Sequence, residues 1–387
     1  MPLYFSLMSS DLASLRTPPH IRTLVALAGL GALVLNVFLP SLPAMTEYFE
    51  TEYRIMQLSV ALYLAINAAL QIVVGPLSAR YGRRPVVLWG ILIFILATLG
   101  TLLAQSVEVF LFFRMCQATM VVGLVLGRAI VRDMVEQDQA ASMIGYVTMG
   151  MAVVPMIGPA IGGVMQEAFG WKSNFVLLAV LGVLLLVVTW RDLGETASLK
   201  SASFAEQFRD YPQLLKSRRF WGYSMAMAFA SGAFFSYLGG APYVGTEVFG
   251  LDPKTLGLLF GAPAVGYFIG NYLSGRFSST FGVNRMVLVG CILNVLGLSL
   301  SLIAFALGFQ TALIFYGFTT FVGLGNGLGI PNATAGRLSV RPQLAGTASG
   351  LGGAMMIGGG AALSAMEGVL LHPFLGARPL MRLMWDA

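Results

Sequence analysis

The sequence predicts an all-α polytopic membrane protein, a bundle of spanning helices. Three observations carry this. Hydrophobic residues make up 57% of the 387-residue chain and charged residues only 10%, where soluble proteins carry about 25% charged residues. Apolar runs of roughly 20 residues, enough to cross the hydrocarbon core as a helix, recur along the chain. Basic residues gather in every second connection, the pattern of cytoplasmic loops. Alternating strand patterns are absent, which argues against a β-barrel. Helices satisfy their own backbone groups in lipid.

Residues 1–21 contain Asp11, Pro18 and Pro19. They read as a cytoplasmic tail, not a cleavable signal peptide. The first six spans fall at about 22–44, 56–78, 85–105, 108–130, 140–165 and 171–190, giving an N-terminal half over 22–190. Residues 191–219, with Lys200, Arg209, Lys216 and Arg218, form the longest polar stretch and read as the central cytoplasmic loop. Spans 7 to 11 follow at about 220–243, 254–277, 284–307, 310–335 and 344–369, in a second half over 220–387. His372-Pro373 ends the eleventh span. From Arg378 the remaining residues reach roughly 15 Å, about half of the hydrocarbon core. The expectation is eleven full spans and an incomplete helix 12, a short stub on the outer side. The outer loops hold Arg54, Lys172 and Lys254, and most other basic residues fall on the opposite side, which puts the N-terminus in the cytoplasm.

The pI near 9.4 does not point to nucleic acid, because the arginines lie in loops without aromatic platforms. Cys116 and Cys291 sit inside apolar runs, and His20 and His372 have no ligand partners nearby. No disulfide, metal site or cofactor is expected. No Ser/His/Asp set or phosphate-binding loop appears, so an enzyme is not expected.

The chain is organised around GPLSARYGRRPVVLWG, from Gly75 to Gly90. Gly75, Arg80, Gly82, Arg83 and Arg84 make a tight basic turn between spans 2 and 3, and Pro85 suits the first turn of the next helix. A weaker copy, GNYLSGRFSSTFGVNR, begins at Gly270, 195 residues later, where a parallel repeat of two six-helix halves would place it. Span 4 carries Arg114, a charge inside an apolar run, and such charges usually face a cavity. The same span ends in GRAIVRDMV, with Arg128 and Asp133. Span 5 carries PMIGPAIGGVM, where Pro155, Gly158, Pro159, Gly162 and Gly163 would bend the helix or let a neighbour approach.

The basic turn resembles the loop between helices 2 and 3 of the major facilitator superfamily. Together with NVFLPSLPAM in span 1, FFRMCQ in span 4, the antiporter-like motif of span 5, FFSYLGGAPYV in span 7 and GIPNATAGRLSVRPQLAGTASGLGG from Gly329, the chain resembles the Bcr/CflA-type drug:proton antiporters from about residue 30 to 365. The resemblance implies a monomeric exporter in the bacterial inner membrane, moving small apolar or amphipathic drug-like substrates by alternating access. Protons would be the coupling partner and lipid the surroundings. Residues placed around a central cavity are Asn36, Tyr63, Asn67, Arg114, Met149 and Tyr237. A latch between Arg80 and Asp133 is expected at the cytoplasmic ends of spans 2 and 4.

Two positions depart from the family pattern. Ala79 stands where the basic turn carries aspartate, and Asn36 where span 1 commonly carries aspartate. None of the 17 acids falls mid-membrane, Glu367 near the outer end of span 11 being the borderline case. Asparagine does not titrate. Two further readings therefore stay open: an exporter not coupled to protons, and a membrane-resident relative that binds without transporting.

Overall fold

The computed structural model describes residues 19–134, 154, 157–196, 211–341, 345–370 and 377–386. Every regular element among them is a helix. The elements are α1 (Ile21–Tyr48), α2 (Tyr53–Tyr81), α3 (Arg83–Leu103), α4 (Val107–Met134), α5 (157–169), α6 (Lys172–Asp192), α7 (Arg218–Tyr243), α8 (Pro253–Phe281), α9 (Val283–Ala306), α10 (Ala312–Leu338), α11 (Ala345–Leu370) and α12 (Arg378–Asp386). Among the described residues eight helices are long and apolar enough to cross a membrane. α7 and α11, at 26 residues each, have the length to cross as well.

α1 runs past its expected end at residue 44. Pro40 and Pro43 interrupt it with a 3-10 turn at Leu39–Ser41, and each sits in the first turn of a new helical segment, where its missing N–H costs nothing. α4 has a similar 3-10 break at Gln117–Met120.

Glycine sets the packing where helices meet most closely. Gly266-x-x-x-Gly270 of α8 faces Gly323-x-x-x-Gly327 of α10, and a Cβ at Gly323 would overlap the Pro263 carbonyl. Lipid gives no hydrophobic force between helices, so such backbone contact supplies the attraction. Asn332 adds a buried hydrogen bond from Nδ2 to Ser274 Oγ at 2.8 Å.

The internal repeat is visible in backbone geometry, but its register differs from the sequence reading. Gly82 ends α2 with φ +96° and ψ 153°, and Gly282 ends α8 with φ +81° and ψ 153°. The N–H of Gly82 donates to Ser78 O at 3.0 Å, and that of Gly282 to Ser278 O at 2.9 Å. Only glycine takes this positive-φ conformation without strain. The true match to Ser78 is therefore Ser278, one helical turn beyond the Ser274 that motif matching selects. α2 and α8 span 29 residues each, so the correspondence runs at one constant offset along both helices.

α12 packs on α7 and α9 as α6 packs on α1 and α3. It has nine residues, about 13 Å of helix. Trp385 Nε1 donates to Ser299 Oγ at 2.9 Å, and Met381 lies 3.1 Å from Ser301 Oγ, both near the α9 end remote from the basic turns.

Candidate functional site

Arg114 lies inside the α1–α4 cluster with no solvent exposure. Its NH1 donates to Gln117 Oε1 at 2.7 Å, its NH2 to Val34 O at 3.0 Å in α1, and its Nε to Ser59 O at 3.2 Å in α2. Gln117 Nε2 in turn donates to Thr98 Oγ1 of α3 at 2.8 Å. The guanidinium carbon stands 4.2 Å from the Phe38 ring centroid and 4.3 Å from that of Tyr63. Arg114 thus joins α1, α2 and α4, and Gln117 extends the network to α3. Among the described residues no carboxylate pairs with it. Carbonyl dipoles and two aromatic faces take that place, an arrangement that offsets part of the cost of burying the ion. The side chain does not snorkel toward the membrane surface.

Around it lie buried acceptors and hydroxyls without partners: Asn36 Oδ1, Ser59 Oγ and Tyr63 Oη. Asn36 Nδ2 donates to Ala32 O at 2.7 Å, and its Cβ packs against Gly158 of α5. Asn67 accepts from Gln71 Nε2 at 3.0 Å. Tyr237 stands apart, donating to Phe260 O at 2.9 Å within a cluster of Phe260, Phe315 and Tyr316. The structure therefore brings Tyr63 and Arg114 together and leaves Tyr237 elsewhere. Asn36, Tyr63, Asn67, Arg114 and Tyr237 are each at most 5% exposed, so in this conformation they are packed and do not line an open cavity. Met149 and Pro155 lie outside the described residues. A groove of about 530 Å³ opens instead at the basic ends of α7, α9 and α10, lined by Arg219, Tyr223, Asn284 and Arg285. It is remote from Arg114.

The α5 motif divides its glycines between two neighbours. A Cβ on Gly162 would overlap the Val37 carbonyl of α1, and Gly158 meets Leu33 and Asn36. Gly163 instead lies against Pro253 O and Gly257 of α8, while Gly257 faces Pro159 O. Nearby, Tyr53 Oη donates to Gly239 O at 2.8 Å and its ring packs on Tyr243 at 4.8 Å. These contacts close the face opposite the basic turns, between α1–α6 and α7–α12.

At the basic turn the ion pair forms differently from expectation. Arg83 Nε reaches Asp133 Oδ2 at 3.0 Å, and Arg83 NH1 donates to Ser78 Oγ at 2.5 Å. Arg80 is exposed, with its guanidinium 5.4 Å from the Tyr81 ring. Gly82 redirects the chain, so the first residue of α3, not the last turn of α2, faces Asp133. Glu195 completes the turn. Its carboxylate accepts the backbone N–H of Arg83 at 2.8 Å and of Arg84 at 3.3 Å, at the positive end of α3. Asp192 does the same for α1, accepting from His20 N at 2.9 Å and Thr23 Oγ1 at 2.5 Å. Sequence reading missed both roles, since no local cap motif precedes either helix.

The profile of the Major Facilitator Superfamily matches residues 24–365. A "Chloramphenicol resistance protein" of Pseudomonas aeruginosa is 30% identical over 84% of this chain and 79% of its own. An "Uncharacterized MFS-type transporter YdgK" of Bacillus subtilis is 32% identical over 65% of this chain and 64% of its own length. A "Multidrug transporter MdfA" of Yersinia pestis is 31% identical over 68% of this chain and 65% of its own. The match thus spans just under two thirds of the last two relatives. Among solved structures, a D-xylose-proton symporter superposes with TM-score 0.75 at 14% identity, covering 95% of each chain. An inward-facing bacterial homologue of the lysosomal transporter Spinster gives TM-score 0.72 at 17% identity, over 95% of this chain and 92% of its own. At these identities the structures share the fold.

Proposed function

The chain belongs to the Major Facilitator Superfamily, and on that premise we propose that it exports small apolar or amphipathic drug-like molecules by alternating access. It acts as a transporter and not as an enzyme. Its place is the bacterial inner membrane, with the basic turns and the N-terminus on the cytoplasmic side. Residues 22–190 and 220–387 are the two moving halves, joined through 191–219, in a monomer.

The observation that supports this best is the closure at the outer face. Gly163 and Gly257 meet through backbone alone. Such a contact packs tightly yet has no interlocked side chains to disengage, so it can part as a unit. Arg114 and Tyr63 hold the inner wall of the first half, and the unpartnered Asn36, Ser59 and Tyr63 atoms offer polar sites to a ligand when the halves separate. The relatives named for multidrug transport and chloramphenicol resistance supply the substrate class. Proton coupling, which the resemblance implies, would have to use a group other than residue 36.

Chloramphenicol and ethidium accumulation in cells with and without the protein tests the reading. Export predicts lower accumulation in expressing cells, abolished by Gly163→Leu at equal membrane abundance. Equal accumulation with folded protein in the membrane would leave a binding relative without transport.

A further inference from the structure

The two halves differ at their basic ends. In the first half, acids from the end of α6 fill the place where α1 and α3 begin. Glu195 accepts the Arg83 and Arg84 N–H groups at 2.8 and 3.3 Å, Asp192 accepts from His20 N at 2.9 Å, and Arg84 NH2 donates to Trp190 O at 2.9 Å. In the second half α7 and α9 begin at the matching place, since Gly282 repeats the turn of Gly82. The groove of about 530 Å³ lies there. Arg219 of α7 and Arg285 of α9 line it, and none of its lining residues is acidic. Among the described residues no carboxylate pairs with either arginine. No side chain caps the start of α9. Tyr223 Oη donates to Asn284 Oδ1 at 2.6 Å, which ties α7 to α9 at the groove wall and leaves the Asn284 amide N–H groups as donors. Two guanidiniums, an amide and the positive end of a 24-residue helix thus share one electrostatic sign.

The groove is also amphipathic. It sits at the first residues of α9, a span by length and hydropathy, and so at the membrane boundary. Phe281, 51% exposed, forms part of its wall. About one turn further along each helix, Ala226 and Ala230 of α7 and Val287 and Cys291 of α9 line a narrow crevice. On α9 beside it, Leu288 and Ile292 are 60% and 54% exposed.

We infer that this groove binds one anionic phospholipid. The headgroup phosphate lies between Arg219 and Arg285, and the acyl chains follow the crevice and the exposed face of α9. Charge complementarity selects an anion, and the apolar continuation selects a lipid: a free anion would meet the arginines and leave that face unused. Basic pockets at the ends of spans suit anionic headgroups. A bound lipid would brace α7 against α9 as the acids of α6 brace α1 and α3. The site includes neither Arg114 nor the Gly163 contact, so the inference is independent of the export reading.

The test is native mass spectrometry of the purified full chain in detergent, with phosphatidylglycerol and phosphatidylcholine of matched chains at equal concentration. One phosphatidylglycerol is expected to stay bound, preferred about 25-fold, because each of two basic side chains near an anionic lipid strengthens binding about fivefold. Arg219→Gln/Arg285→Gln should erase the preference. Asn284→Asp keeps an acceptor for Tyr223 but adds a negative charge, as Glu195 does in the first half, and should lower the preference about fivefold or more. Arg276→Gln, at an exposed position of α8 outside the groove, should leave it unchanged. All four positions are exposed, so the fold is kept. Equal retention of the two lipids, a preference that the groove variants leave unchanged, or one that Arg276→Gln lowers as much, overturns the inference. Release of the lipid by equimolar inorganic phosphate overturns the lipid assignment in favour of a free-anion site.

Discussion

Gly162 and Gly163 are adjacent in sequence but face different partners, so one methyl group can separate folding from gating. In Gly163→Ala the new Cβ would overlap Pro253 O and stand 3.1 Å from Pro253 C and 3.3 Å from Gly257 Cα. All three atoms are backbone, so no side chain can rotate away. The strain can be released only by moving α5 from α8. Overpacking of this kind costs about 1–3 kcal/mol. Charged against the sealed state alone, that shifts the equilibrium toward an open outer face by roughly 5- to 150-fold. In Gly162→Ala the clash is with Val37 of α1, inside one half, and the same cost falls on both states. It should lower thermal stability and leave the equilibrium in place. The assay is pulsed electron–electron spin resonance between labels at Glu52 and Lys254, both exposed and on opposite sides of the seal, in a Cys116→Ser/Cys291→Ser background. Gly163→Ala should add a longer-distance population that Gly162→Ala lacks. Identical distance distributions in wild type and Gly163→Ala would falsify the assignment of this glycine to the seal.

Three further outcomes follow from named contacts. Arg114→Lys keeps the charge but cannot reach Val34 O, Ser59 O and Gln117 together, so it should cost about 3 kcal/mol, read as a lower Tm in detergent; a Tm equal to wild type would mean the three bonds carry no stability. Asn36→Asp places a titratable group beside Gly158 and should make drug efflux more sensitive to an uncoupler than in wild type, with equal sensitivity counting against residue 36 as the missing coupling site. Asp252 caps α8, and hydrogen bonds from Thr255 hold its carboxylate below the usual range. Its contribution is therefore complete above the unfolded value near 3.9 and fades as pH falls through the lower folded value, so Asp252→Asn should flatten the acid-side fall in protection of the Thr255 amide in hydrogen exchange.

What the sequence made legible follows from the range of each interaction. Helix positions, the basic turn and the fold class rest on hydropathy and loop charge, which are local or summed quantities, and they could be read directly. The glycines of α5 were recognisable as a close-packing set, but not that Gly162 serves α1 and Gly163 serves α8, because a single residue step turns the contact about 100° around the helix axis. Tyr63 and Arg114 could be nominated by chemistry but not paired, since 51 residues separate them in sequence and only the crossing of α2 and α4 joins them.

The basic turn shows the same limit with a mechanistic consequence. Ala79 suggested a turn short of negative charge. In the folded chain Glu195 caps α3 from 112 residues away, and Asp133 holds Arg83 from α4. A carboxylate at position 79 would be fixed to α2 and move with it. Glu195 follows α6 and Asp133 belongs to α4, so here the charges bind three helices of the first half to one another at the cytoplasmic end. Such a turn stiffens that half as a rigid body and leaves its contact with the second half to other groups.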